Sequence, residues 1–270
     1  MPDELGRSRL VCRSRGSHNP LVPRRIHVPQ VHHGEVPLSE REAHHVRDVL
    51  RLRDGERVEL FDDAGAVGQG KLIVNGGLVA VKVDSVRGPH AAGCRVVLAG
   101  AVPKANRADW LIEKLSELGV DEYIPLAAAR SVVVPEGKNK LERWERLAVE
   151  AAKQSHRPGV MKIGEVTPFG IALRNALSNG MAWCLSTSPE ARPILTQALD
   201  APPTGKLTLF IGPEGDWSPE EIEGFTSVHV PQISLGPIIL RVETAAMTAA
   251  AVVAARLQHC GSLRQSPPTP

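Results

Sequence analysis

The stretch LFIGPEGDWSPEEIEGF, residues 209–225, joins an apolar strand to a helix through the turn Gly-Pro-Glu-Gly. Ser218 as N-cap, Pro219 at the first helical position and Glu221 at the third are typical of a capped helix start, and we interpret them as structural. The turn at 212–215 has two open interpretations. It is a tight connection, or a surface where a ligand approaches the backbone at the carboxyl end of a parallel strand.

The same arrangement returns in ISLGPIILRVETAA, residues 233–246, where Gly236 and Pro237 follow a second apolar strand. An alanine-rich helix begins near Glu243, and its small residues predict close packing on a neighbouring helix or on a second subunit. Two Gly-Pro turns after two late strands predict loops that face one small ligand. The glycine motifs of dinucleotide-binding and P-loop proteins are absent, which disfavours a nucleotide-binding protein.

Strands and helices alternate over residues 94–260. The predicted strands are residues 94–102, 120–128, 181–186, 206–211 and 227–235. The clearest helical patterns are residues 107–119, 140–155 and 242–258. This alternation predicts an α/β domain with a parallel sheet.

Residues 24–88 have a different pattern, with short β-branched segments separated by turns such as Asn-Gly-Gly. A helix over residues 39–52 begins with the capping box Ser39 and Glu42. Together these features predict a small β-barrel with one helix, followed by a linker over 87–93. Residues 1–23 and 261–270 lack periodicity, and we expect a disordered extension and a disordered tail.

The charge distribution limits where a nucleic acid would bind. The net charge is +2, but residues 1–28 hold six arginines and only two acidic residues, so the rest of the chain sums to −2. RNA binding therefore needs a local basic patch. An aromatic content of 3% argues against an aromatic stacking platform.

Composition also points to a class of protein. We expect neither a membrane span nor a signal peptide, because no long apolar run and no apolar signal-peptide region are present, and the scattered cysteines without a C-x-x-C pair suit a reducing cytoplasm. The four cysteines are scattered, and the adjacent histidines at 32–33 and 44–45 point apart, so we expect no metal site.

The two Gly-Pro segments, IGPEGDWSPEEI and LGPIILRVETAA, resemble the RsmE family of ribosomal RNA methyltransferases. The usual family pattern is close to I-G-P-E-G-G-F-S-x-x-E and L-G-x-R-I-L-R-T-E-T-A. Three upstream blocks are similar to the same family: residues 44–62, 104–133 and 143–157. The resemblance covers residues 24–258. The chain departs from the pattern at Ile238, where arginine is frequent, and at Val242, where threonine is frequent.

The resemblance implies an N-terminal PUA-like barrel and a C-terminal SPOUT domain with a trefoil knot. It also implies S-adenosylmethionine as cofactor, a homodimer formed through the C-terminal helix, and methylation of uridine N3 in 16S small-subunit ribosomal RNA. Cofactor contacts are expected from residues of the knot loops and their neighbours: Leu185, Ile211, Gly212, Pro213, Glu214, Gly215, Leu235, Gly236, Pro237, Ile239, Leu240 and Thr244.

Arg241 is the first candidate for stabilising negative charge on the uracil oxygens. Glu243 has two open roles, as the base or as the group that orients Arg241, and a purely structural ion pair of these two residues is a third alternative. The expected RNA contacts are five basic residues that follow strand or helix ends: Lys104, Arg107, Arg130, His156 and Arg157.

Two rival functions stay open beside this one. The first is a SPOUT methyltransferase with another target, such as a ribose 2′-hydroxyl. The second is an RNA-binding relative that has lost activity, for which the departures at Ile238 and Val242 are the hints.

Overall fold

The computed structural model describes residues 24–76, 78–89, 93–104, 106–133 and 138–264, with the side chains of all of them except Lys138 and residues 259–264. The extension predicted for residues 1–23 lies outside these ranges. Within them, no helix is both long and apolar enough to cross a bilayer.

The N-terminal part is one five-stranded sheet with a short helix. Its strands are β1 (Arg24–His27), β2 (Gly34–Pro37), β3 (Arg57–Phe61), β4 (Val67–Asn75) and β5 (Leu78–Arg87), in the order β1-β3-β4-β5-β2. All neighbours are antiparallel except β1 and β3. Alternating strand residues and Ala43 and Val46 of the helical segment form a separate apolar core.

The predicted helix over residues 39–52 is shorter than expected. Helix α1 (Glu40–His44) starts at the predicted N-cap Ser39, whose hydroxyl accepts from Glu42 N at 3.3 Å. A π-helical turn then spans His45–Val49, with Leu50 N donating to His45 O at 2.9 Å. Arg51 has a φ of 54°, a left-handed conformation that ends the segment.

The C-terminal part is a parallel eight-stranded sheet. Its strands are β6 (Cys94–Gly100), β7 (Glu122–Ala127), β8 (Lys162–Ile163), β9 (Thr167–Pro168), β10 (Met181–Leu185), β11 (Arg192–Pro193), β12 (Gly205–Ile211) and β13 (Gln232–Ser234). They run in the order β11-β13-β10-β12-β6-β7-β8, and β9 also pairs with β7. All of these pairs are parallel. The predicted α/β class is therefore confirmed.

Helices cover both faces of this sheet. They are α2 (Arg107–Glu117), α3 (Lys138–Ser155), α4 (Phe169–Ser178), α5 (Ile194–Asp200), α6 (Pro219–Ser227) and α7 (Val242–Arg264). Residues of α2, α3, α5 and α7 share one apolar core, and residues of α4 and α6 share another. Such two-sided cover explains why β6 and β12 are apolar almost throughout.

Two predicted boundaries are wrong. Helix α6 continues to Ser227, and His229 follows it in a left-handed conformation (φ 58°), with Val230 N donating to Phe225 O. The strand predicted from residue 227 therefore begins only at Gln232. Helix α7 runs to Arg264 and so includes residues 261–264 of the predicted tail. The rest of that tail lies outside the described ranges.

Strand β13 lies between β10 and β11, which are consecutive strands along the chain. The chain that leaves β13 must therefore pass the connection over residues 186–191 before it reaches α7, which packs on α2, α5, β6 and β12. Threading of this kind is what a trefoil knot requires, and the knot stays a prediction of the family resemblance.

The two parts of the chain are joined by polar contacts buried between them. Arg25 of β1 donates through Nη1 to the carbonyls of Ala152 and Arg157, both at 2.9 Å. Lys153 of α3 donates through Nζ to Glu42 Oε1 at 2.8 Å, and both side chains are buried. The small sheet is thus fixed against the end of α3.

Candidate active site

The ligand loops predicted from sequence lie at the carboxyl edge of the parallel sheet. Residues 212–218 follow β12, residues 235–241 follow β13, and residues 186–191 follow β10. Since β10 pairs with both β12 and β13, the three loops leave the sheet side by side. This edge is the usual place for ligands in open α/β sheets.

Trp217 anchors the loop at 212–218 to strand β10 and helix α6. Its Nε1 donates to the carbonyl of Leu185, the last residue of β10, at 3.0 Å. Its ring packs edge-on against Phe225, with centroids 5.0 Å apart. A Cβ on Gly212 would lie 3.1 Å from the Trp217 ring, so the close packing of this turn favours glycine there. The predicted capping box of Ser218 and Glu221 is present.

Arg130, in the segment that follows β7, anchors the same loop through hydrogen bonds to its backbone. It follows β7 and donates through Nη1 to the carbonyl of Gly215 at 2.8 Å and to that of Trp217 at 3.3 Å. Glu221 Oε1 accepts from Ala129 N at 2.9 Å, which ties the loop after β7 to α6. Arg130 therefore reaches the predicted site, and its guanidinium holds the backbone of the ligand loop.

The loop at 235–241 presents exposed apolar surface and a glycine with open space around it. Ile238 and Ile239 are 76% and 82% exposed. Gly236 has a φ of 130°, and a Cβ there would meet no other atom within 4 Å. Leu235 packs partly on the core of the domain. This loop thus offers an apolar, solvent-facing segment beside the loop at 212–218.

The predicted cofactor residues divide by exposure. Buried members are Leu185, Ile211 and Pro213, half-buried members are Gly212, Leu235, Leu240 and Thr244, and exposed members are Glu214, Gly215, Gly236, Pro237 and Ile239. The structure therefore gathers all of them at one edge, with the exposed members in the two loops.

An ion cluster connects these loops to helix α2. Arg107 Nη1 lies 3.1 Å from Glu243 Oε1, and Arg107 Nη2 lies 3.9 Å from Glu214 Oε1. Glu243 is buried, and within the described ranges its Oε2 has no hydrogen-bond partner. This partner for Glu243 differs from the expected one. Arg241 is exposed, and the described residues give its guanidinium no hydrogen bond or ion pair.

The other predicted RNA contacts are placed differently. Lys104 is exposed in the loop after β6, on the same edge as the ligand loops. His156 is exposed at the end of α3 in a left-handed conformation (φ 56°). Arg157 donates through Nη1 to the carbonyls of Ser116 and Val120 at 2.9 and 2.7 Å, where α2 leads into β7. The structure therefore places Arg157 at the amino end of β7, away from the ligand loops, where burial lowers the pKa of its guanidinium.

Cysteine chemistry is disfavoured at this edge. Burial raises the pKa of Cys184, near the end of β10, and of Cys94, which begins β6 at the opposite edge, so both stay as thiols. A buried thiol with a raised pKa is a poor nucleophile. No group of three potential metal ligands occurs within the described residues.

Comparison with known proteins gives this arrangement a family. An RNA methyltransferase domain family matches residues 90–254, and an RNA methyltransferase PUA domain family matches residues 38–84. Ribosomal RNA small subunit methyltransferase E of Synechocystis is 30% identical over 230 residues, which is 85% of this chain and 76% of that protein. The chain belongs to the ribosomal RNA small subunit methyltransferase E family.

Other relatives agree with this assignment. The methyltransferase E of Bacillus subtilis is 28% identical over 225 residues, covering 80% of this chain and 88% of that protein. The crystal structure of methyltransferase E from Neisseria gonorrhoeae, bound to S-adenosyl methionine, has a TM-score of 0.77 and 25% identity over 87% of this chain and 98% of its own. A putative methyltransferase from Legionella pneumophila, in complex with the same cofactor, has a TM-score of 0.76 and 28% identity over the same shares.

One contact in the candidate site of this member of the methyltransferase E family was not predicted from its sequence. Arg107 was expected to contact RNA, and nothing in the sequence indicated that it pairs with Glu243, which is 136 positions away. The position of Arg107 is nevertheless unusual, because an arginine at the first position of a helix opposes the helix dipole.

Proposed function

We propose that this protein transfers a methyl group from S-adenosylmethionine to N3 of a uridine in the 16S RNA of the small ribosomal subunit, in the cytoplasm. The observation that carries the proposal is the pair of ligand loops after β12 and β13, in a chain that matches two cofactor-bound relatives over 87% of its length. Membership of the methyltransferase E family supports the ribosomal target.

The residues at the carboxyl edge fit this cofactor. Ile238 and Ile239 offer exposed apolar surface, and the glycines at 212, 215 and 236 carry no side chain that would hold a ligand away from the backbone. Arg107, Glu214 and Glu243 together carry one net negative charge, which suits a cationic ligand. The twelve cofactor contacts predicted from sequence are proposed on this basis.

The chemistry required of the protein is alignment and charge control. Bound S-adenosylmethionine supplies an electrophilic methyl group. Loss of the N3 proton spreads negative charge from N3 onto the flanking uracil oxygens, and this charge is neutralised as N3 forms its new bond to the methyl carbon and the bond from that carbon to sulfur breaks. Arg241, which is exposed at the end of the loop at 235–241, is the group we assign to stabilise that charge.

Glu243 is the group we assign to accept the N3 proton. Its Oε2 accepts no hydrogen bond from the described residues and so has capacity for a proton. Because Oε2 is buried, this role requires a local rearrangement that makes Oε2 accessible when RNA binds.

Replacing Arg241 tests the mechanism. Arg241→Ala should lower kcat for methyl transfer by roughly 100- to 1000-fold, the usual loss when a donor to a developing negative charge is removed. Cofactor affinity, measured by calorimetry, should change little, because the role assigned to Arg241 is at the acceptor base and not at the cofactor. Turnover at the wild-type rate would remove Arg241 from the mechanism.

We also propose that the protein is a homodimer in which two copies of α7 meet. The inner face of α7, including Ala246, Ala249 and Ala250, is buried on the sheet and its neighbouring helices. Ala251 and Ala255 are exposed one turn apart on the other face, and Leu195 and Leu199 of the adjacent α5 are exposed as well. An apolar surface of this kind suits a second copy of the chain.

A further inference from the structure

Arg107 stands where local helix energetics disfavour a cation. It is the first residue of α2, and the preceding Asn106 gives the helix no side-chain cap hydrogen bond. The positive end of a helix dipole repels a guanidinium. Two carboxylates from distant segments offset this repulsion: Glu243 at 3.1 Å and Glu214 at 3.9 Å. A residue that opposes its local preference in this way is a candidate for a functional role.

Glu243 depends on Arg107 for charge compensation. Its side chain is only 6% exposed, at the second position of α7, and Oε1 is paired with Arg107. Oε2 is buried without a hydrogen-bond partner among the described residues. The amino ends of α2 and α7 both lie at this carboxylate and favour its negative charge. Loss of Arg107 would leave a buried carboxylate without its ion pair, which is strongly unfavourable.

Other charged groups near the start of α7 are engaged elsewhere or exposed. Asp109 of α2 accepts from Trp144 Nε1 at 2.9 Å and pairs with Arg143 at 2.7 Å. Arg241 is exposed to solvent. Within the described residues, Arg107 is therefore the cation that contacts the Glu243 carboxylate.

The second contact of Arg107 reaches the other ligand loop. Glu214 belongs to the loop at 212–218, and its side chain and that of Arg107 are each about one third exposed, at 35% and 36%. At 3.9 Å this pair is the weaker of the two. A single guanidinium thus connects helix α2, the loop after β12 and the start of α7.

We propose that Arg107 is a positioning residue, which holds Glu243 in place and links the two loops between which methyl donor and uridine meet, and that it does not bind the RNA itself. This inference rests on the proposed function. It changes the role expected from sequence, where Arg107 was grouped with Lys104 as an RNA contact. The exposed Lys104, only three positions away in the same loop region, is the matched control.

Steady-state kinetics with small ribosomal subunits separate the two roles. Arg107→Met should lower kcat roughly 100-fold, the cost of a displacement of about 1 Å at a reacting centre, with KM for the subunit within about twofold of wild type. Arg107→Lys should restore part of kcat, since an ammonium can pair with Glu243 but cannot bridge two loops. Lys104→Met should instead raise KM and leave kcat near wild type. A raised KM with wild-type kcat in Arg107→Met would overturn the proposal.

Thermal unfolding without any substrate gives a second readout. Arg107→Met should lower the unfolding midpoint, and the double variant Arg107→Met/Glu243→Gln should recover most of that loss, because no buried charge is left unpaired. Additive losses would overturn the link between the two residues whatever the activity. Failure of the wild-type protein to methylate subunits would instead overturn the proposed function, so the two failures are distinguishable.

Discussion

Gly236 shows how the backbone of one residue shapes the candidate site. Its φ of 130° is a conformation that L-residues rarely adopt, although a side chain there would meet open space. The requirement for glycine is therefore conformational.

The valine at position 242, where threonine is frequent in the family, has a structural explanation. Val242 is buried in the main apolar core, where the hydroxyl of a threonine would need a hydrogen-bond partner.

Gly236→Ala should weaken the binding of S-adenosylmethionine with little loss of stability. An alanine at this φ would add backbone strain of about 1–3 kcal/mol, and a shift of the exposed loop would relieve it. Such a shift would change the surface that the ligand contacts and leave the apolar core intact. Calorimetric titration should show an affinity lower by roughly tenfold or more. Gly119→Ala is the matched control, because Gly119 also has a positive φ (83°) and open space but follows α2 at the opposite edge. If both variants bind the cofactor equally well, the loop assignment is wrong.

Helices and strands with a strong apolar period were predictable, whereas the short ones were not. The patterns at 107–119 and 206–211 correspond to α2 and β12 within two residues at each end. The two-residue strands β8, β9 and β11 escaped because so few residues give no periodic signal. The strand predicted from residue 227 begins only at Gln232, because His229 adopts a left-handed conformation. The valines on either side of His229 give this segment the apolar pattern of a strand, so the turn was not predicted.

The exposed face of helix α7 allows a test of the proposed dimer. Ala251→Arg should convert the proposed dimer to a monomer, because it places a cation on the exposed apolar face without touching the buried one. Sedimentation or light scattering would measure the change. Leu177→Arg on α4, another exposed apolar position, should leave the assembly intact. A monomeric wild-type protein would contradict the proposed dimer.

At the scale of the whole molecule, the sequence indicated two parts but not how they are joined. The resemblance predicted a PUA-like part and a methyltransferase part, and both family matches confirm it. Lys153 and Glu42 form an ion pair although they are 111 positions apart in the chain. In the sequence, each is indistinguishable from a charged residue on the solvent-exposed face of a helix. Long-range pairs of this kind, like Arg107 with Glu243, leave no local pattern, so the connections within the site were beyond prediction.

Lys153→Met should destabilise the protein by about 3–5 kcal/mol, because it leaves the buried Glu42 carboxylate without its cation. Denaturant unfolding would measure this loss, and the double variant Lys153→Met/Glu42→Gln should recover most of it. Lys162→Met is a suitable control, since Lys162 is exposed and its partner Glu122 is only half-buried, and the change should cost about 1 kcal/mol. Equal effects of the two lysine variants would show that the buried pair does not join the two parts.

The central claim is that this chain methylates a base nitrogen of small-subunit ribosomal RNA. The most direct measurement is nucleoside mass spectrometry of small subunits that lack the modification, after incubation with the protein and S-adenosylmethionine. The account predicts 3-methyluridine in the wild-type reaction and its near absence with Arg241→Ala. A ribose-methylated nucleoside, or no methylated nucleoside while the cofactor binds normally, would contradict it.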